Sequence, residues 1–101
     1  MIKVVIERHC KPGQEERLEE FLRDLRASCM HNPTYVSGET LVNLDDPLNY
    51  FVIGTWSRLD GWQNWQNCQE RHELLQMMTP CIEGDPIVKV FTAGDGELNL
   101  L

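Results

Sequence analysis

Along residues 2–9 the chain alternates between an apolar side, Ile2, Val4 and Ile6, and a mixed side, Val5, Glu7 and His9, which is the period of a β-strand. Lys11-Pro12-Gly13 breaks this strand, and Gln14-Glu15-Glu16 sets negative charge where the free amides of a helix start attract it. The period then changes. Leu18, Phe21, Leu22, Leu25 and Cys29 form one helical stripe, with Glu19, Glu20, Arg23, Asp24 and Arg26 around the rest. His31-Asn32-Pro33 closes the helix, because proline disfavours helical geometry in the residue before it.

Tyr35 to Leu44 and Leu48 to Ser57 are rich in valine, threonine and aromatic residues, and Asp45-Asp46-Pro47 between them is turn chemistry, so an antiparallel hairpin is predicted. Ser57-Arg58-Leu59-Asp60 has the serine-x-x-acid outline of a helix start. Apolar and aromatic positions then recur at three and four, through Trp62, Trp65 and Leu75, which predicts one continuous second helix to about Met78, stopped by Thr79-Pro80. Ile87 to Thr92 is the last strand, and residues 94–101 form a tail whose Leu98, Leu100 and Leu101 are placed to cross onto a partner.

The order strand, helix, strand, strand, helix, strand specifies a single α+β domain over residues 1–93. Its expected form is a ferredoxin-like βαββαβ fold with both helices on one face of a four-stranded antiparallel sheet. The opposite face carries the other parity of each strand, much of it apolar. Back-to-back pairing with a second copy is the expected way to cover it.

Composition narrows the function classes. Sixteen acidic residues against nine basic ones give a formal charge of −7, which repels phosphate backbones and anionic lipid, so neither nucleic acid nor membrane is an expected partner. No apolar run approaches the roughly 20 residues of a membrane span, and the apolar start is too short for a signal peptide. Cys10, Cys29, Cys68 and Cys81 form no CxxC pair and are expected as reduced thiols in a cytoplasm.

With that order in hand, three features carry a resemblance: an N-terminal strand closed by Lys11-Pro12-Gly13, a third strand ending in Trp56-Ser57, and an aromatic nine residues further on at Trp65. The stretch GTWSRLDGWQNW, residues 54–65, resembles the antibiotic biosynthesis monooxygenase domain of the dimeric α+β barrel superfamily, and the likeness spans residues 2 to about 93. It implies the fold above, a homodimer formed through the sheet face, and a monooxygenase working without a cofactor on a small aromatic or quinol-like compound. The haem-degrading branch of that superfamily uses a first-strand asparagine, a second-helix tryptophan and a histidine ten residues later. Here Trp65 matches, but the strand position falls at Ile6 or Glu7 and the last at Leu75, which speaks against haem breakdown.

Cofactor-free oxygenation asks for a dry cavity and a base. Trp62 and Trp65 serve either as core or as walls for a flat guest, and Tyr50 either orients a substrate or reaches solvent. His72, seven residues after Trp65, is the side chain best suited to move a proton near neutral pH, with Glu7 and His9 as an acid and base pair if their side of the strand lines the cavity. Cys68 and His72 stand one helical turn apart, yet no four-ligand zinc spacing accompanies them, and no metal is expected. A non-catalytic small-molecule binder of the same fold is the alternative.

Overall fold

A computed structural model of the protein describes residues 1–93; the tail expected at 94–101 lies outside the described residues. Strands β1 (Ile2–His9), β2 (Tyr35–Val42), β3 (Asn49–Trp56) and β4 (Ile87–Thr92) form one antiparallel sheet in the order β2-β3-β1-β4. Helix α1 (Glu15–Cys29) and the pair α2 (Leu59–Gln66) and α3 (Gln69–Met78) cover one face. The fold is the α+β sandwich expected from the pattern.

Helix α1 buries the expected stripe. Leu18, Phe21, Leu22 and Cys29 are all less than a tenth exposed, and each of the three large side chains contributes about 1.5–3 kcal/mol. Ile2, Val4 and Ile6 face the helices, and two clusters of side chains fill the space between. One holds Cys10, Leu18, Phe21, Leu22, Tyr50, Met78 and Cys81. The other holds Val4, Ile6, Cys29, Trp56 and Trp62, with Val52 packed against both.

Three boundaries differ from expectation, each for a local hydrogen-bonding reason. The hairpin strands stop at Val42 and start again at Asn49, because Asn43 Oδ1 accepts from Asp45 N at 2.9 Å and Asp46 Oδ1 accepts from Leu48 N at 3.1 Å. These side-chain turns take Leu44 and Leu48 out of the ladder. Ser57 does not cap the second helix: its backbone N and hydroxyl both donate to Thr34 O, at 2.8 and 3.3 Å, and Arg58 takes the cap position. The expected single second helix is two. Cys68 adopts an extended backbone, and its Sγ accepts from Arg71 N at 3.4 Å, so it ends one helix and caps the next.

The sheet is covered on one side only. Val5, Glu7, Phe51, Ile53, Leu41, Ile87 and Phe91 share the other face, where Leu41, Ile87 and Phe91 are about half exposed. Strand β4 is exposed along its whole length. A sheet in this state leaves apolar surface of the kind that marks an interaction site.

Candidate functional site

Between sheet and helices lies a cavity of about 90 Å³. Its floor is Val4, Ile6 and Arg8 of β1, Val52, Gly54 and Trp56 of β3, and Tyr35, Gly38 and Thr40 of β2. Its roof is Leu22, Leu25, Arg26 and Cys29 of α1, Trp62 and Trp65 of α2, and Arg71 of α3. Glu39 borders it at the sheet edge, but pairing with Ile53 turns its side chain to the opposite face. The volume is that of about three waters, below the roughly 150 Å³ that accepts benzene. A ring can enter only if the walls give; of the helix side chains in the roof, Trp65 is half-buried and Arg26 exposed.

The aromatic wall depends on an irregularity in β2. Tyr35 pairs with Trp56 and Ser37 with Thr55, so Val36 is one residue too many and forms a β-bulge. That extra residue switches the strand's parity and turns Tyr35 to the helix side. There its ring meets Trp56 edge-on at 5.4 Å, and Trp56 meets Trp62 edge-on at 5.9 Å. Gly38, on the same face, leaves room for the Tyr35 hydroxyl, which a Cβ would strike. Gly61 does the same for α2, whose first turn lies so close to Thr34 that a Cβ would collide with its side chain.

Two arginines give the cavity its charge. Arg8 is 3% exposed and its Nε has no hydrogen-bond partner among the described residues. Arg71 is 8% exposed, lies with its guanidinium carbon 5.3 Å from the Trp62 ring centre, and donates from Nη1 to Gln66 O at 3.4 Å. Burial, then the nearby Arg71 charge, pushes Arg8 down to about 10. Burial also lowers Arg71. On the same wall, burial pushes the Cys29 thiol up to about 12, so it stays protonated and unreactive at neutral pH.

The expected site residues fall in four places. Trp62, 3% exposed, and Trp65 line the cavity. Tyr50 is buried in the neighbouring cluster with Cys10 and Leu18 and is not among the lining residues. Glu7 and His9 point to the open face of the sheet, where Glu7 Oε2 accepts from Asn49 Nδ2 at 2.9 Å and lies 3.7 Å from His9 Nε2. His72 is exposed on α3, outside the cavity lining. The structure therefore does not gather His72, Glu7 and His9 around the tryptophans. Cys68 serves as a helix cap, and among the described residues no group of three His, Cys, Asp or Glu is placed to hold a metal.

Arg8, Arg71, Tyr35 and Trp56 were not among the expected site residues. For Arg8 a signal existed: it continues the parity of Val4 and Ile6, a charge where the pattern calls for an apolar residue. For Tyr35 there was none, since a bulge leaves no mark in the alternation of so mixed a strand.

The sequence profile of a family described as antibiotic biosynthesis monooxygenase matches residues 1–76. No curated protein sequence matches the chain. Among solved structures, a candidate antibiotic biosynthesis monooxygenase from Deinococcus radiodurans superposes with a TM-score of 0.86 at 11% identity, covering 100% of this chain and 99% of its own. A second, from Caulobacter crescentus, gives 0.86 at 18% identity over 93% and 90% of the two chains. A variant of SnoaB, a cofactor-independent oxygenase from Streptomyces nogalater, gives 0.84 at 15% identity over 97% of each. At these identities the structural likeness speaks for the fold.

Proposed function

The chain belongs to the antibiotic biosynthesis monooxygenase family, and from that premise we propose that it oxygenates a small aromatic or quinol-like compound without a resident cofactor, as a homodimer in the cytoplasm. The observation that carries the proposal is the cavity between helices and sheet, walled by Trp56, Trp62, Trp65 and Tyr35. Aromatic faces suit a flat ring.

The chemistry asks little of the protein beyond binding and charge. A ring carbon of an anthrone-type substrate loses a proton, its carbanion gives electrons to dioxygen, and a carbon–oxygen bond forms. Loss of the second proton from that carbon then breaks the O–O bond. One oxygen atom stays as a ketone and the other leaves as water. Trp65 at the mouth packs on the ring, and Trp62 behind it fixes the wall. The second copy covers the open face bearing Phe91, Ile87 and Leu41, and it encloses Glu7 and His9.

Oxygen uptake with a panel of quinols and anthrones, with no metal or flavin added, tests the activity. Consumption above the buffer rate, lowered in Trp65→Ala, is expected. Uptake equal to buffer across the panel would leave a non-catalytic binder as the better description.

A further inference from the structure

We propose that Arg8 and Arg71 form an anion subsite inside the cavity, so that the ligand binds there as an aromatic oxyanion, a phenolate, enolate or carboxylate, rather than as a neutral ring. The proposal takes the cavity to be the ligand site named above and adds the charge state and chemical class of what enters it.

Four observations support it. Both guanidinium-bearing side chains are more than nine-tenths buried and line the same cavity. Among the described residues the ion pairs are Glu7 with His9 and Arg58 with Asp60, so neither buried arginine has a carboxylate. The chain carries sixteen acidic residues, which makes the lack of one here a feature of the site and not of the composition. Among the described residues the Arg8 side chain has no hydrogen-bond partner, its buried Nε included, and Arg71 donates only a long bond to Gln66 O.

Buried guanidinium groups are ordinarily paired, because a cation in an apolar setting is costly without a counter-charge. This pair is the reverse: burial lowers both, and the Arg71 charge lowers Arg8 further. Arg71 also sits in the first turn of α3, where the helix end is itself positive. A ligand oxyanion between them would relieve all of these penalties at once. Guanidinium and oxyanion also match in geometry, since planar N–H donors can meet one or two oxygens. The same charge would favour the conjugate base of a phenol or enol, holding electron-rich carbon in its reactive form without a nearby general base.

The test uses para-nitrophenol, whose ionisation shows as visible absorbance, titrated against pH with and without the full-length protein. The bound midpoint is expected to fall by about one pH unit or more, a tenfold preference for the phenolate. By calorimetry, benzoate is expected to bind at least about tenfold more tightly than its neutral isostere benzamide. Arg8→Met should remove both preferences while the protein's thermal midpoint holds or rises, since an unpaired buried charge is gone. Arg71→Met supplies the same comparison should Arg8→Met not fold. An unshifted nitrophenol midpoint, equal binding of benzoate and benzamide, or a preference that survives the folded variants would overturn the inference. None of these readouts involves dioxygen, so failure of the oxygenase proposal and failure of the anion subsite are separate results.

Discussion

The Tyr35 hydroxyl occupies the space into which a side chain on Gly38 would grow, three residues along the same strand. The bulge at Val36 turns the ring inward, and the missing Cβ at Gly38 leaves room for its hydroxyl while the ring meets Trp56 edge-on. Gly38→Ala therefore forces Tyr35 off its seat. The expected cost is about 1–3 kcal/mol in urea unfolding, the range for overpacking a well-filled site. Tyr35→Phe in the Gly38→Ala background removes the striking oxygen and should recover part of that loss. Additive costs in the double variant would break the link between the two residues.

Trp62 and Trp65 are three residues apart on one helix, but the structure gives them different duties. Trp62 is buried, stacked edge-on with Trp56 and beneath the Arg71 guanidinium, so Trp62→Ala should cost about 3–5 kcal/mol. Half-buried Trp65 lines the cavity and carries less of the core. Trp65→Ala should cost about 1 kcal/mol in stability and yet weaken para-nitrophenol binding severalfold. Denaturation curves and ligand titrations on the two variants check the contrast, and similar stability losses in both would refute it.

Much of the fold was legible because the period of apolar residues changes cleanly, from two in β1 to three and four in α1. The limits of β1 and α1 follow from that change together with the breaks at Lys11-Pro12-Gly13 and His31-Asn32-Pro33. The break at Cys68 was not legible, since Trp65, Leu75 and Met78 keep a helical spacing across it and a thiol is a weak cap signal. Of the site, the tryptophans were visible as aromatics at helical spacing. Helical spacing places His72 beside Trp65, but the break at Cys68 interrupts it. Glu7 and His9 are candidates only if their side of β1 lines the cavity, and it is the other side that does. Glu7 and His9 share a face with Val5, whereas Arg8 shares one with Val4 and Ile6. His72→Ala is accordingly expected to leave para-nitrophenol binding unchanged within error, and a severalfold loss would return that histidine to the site.

The open sheet face predicts the oligomeric state. Phe91 is 51% exposed on the same face as Ile87, Val5 and Ile53, with Lys3 opposite it and Lys89 between it and Ile87. Ile53→Asp puts a charge on an inner strand of the face that a second copy would cover, opposite Val5 and Glu39, and burying it unpaired is strongly disfavoured. Sedimentation at micromolar concentration should give dimers for the parent chain and monomers for the variant, with circular dichroism unchanged. Monomers from the parent chain would show that the face stays uncovered.

Alkaline pH should destabilise the protein, and the sign follows from where the protons sit. In the folded chain burial holds the Cys29 thiol up to about 12, against an ordinary value of 9.0. Above pH 9 the unfolded chain has released a proton that the native state still holds, so raising the pH favours unfolding. This contribution is fully present below pH 9 and is lost as pH rises toward 12. Cys10, Tyr35 and Tyr50 are shifted up by burial as well and act in the same direction. Arg8 opposes them, but only above its lowered value of about 10, where the native state is the one that has lost a proton. Between pH about 8 and about 9.5 the thiols therefore act unopposed by Arg8, and the urea midpoint should fall over that interval. Cys29→Ala should shallow the slope, by less than about 1.4 kcal/mol per pH unit. If the slope is the same with and without the thiol, Cys29 is not held protonated by its place on the cavity wall.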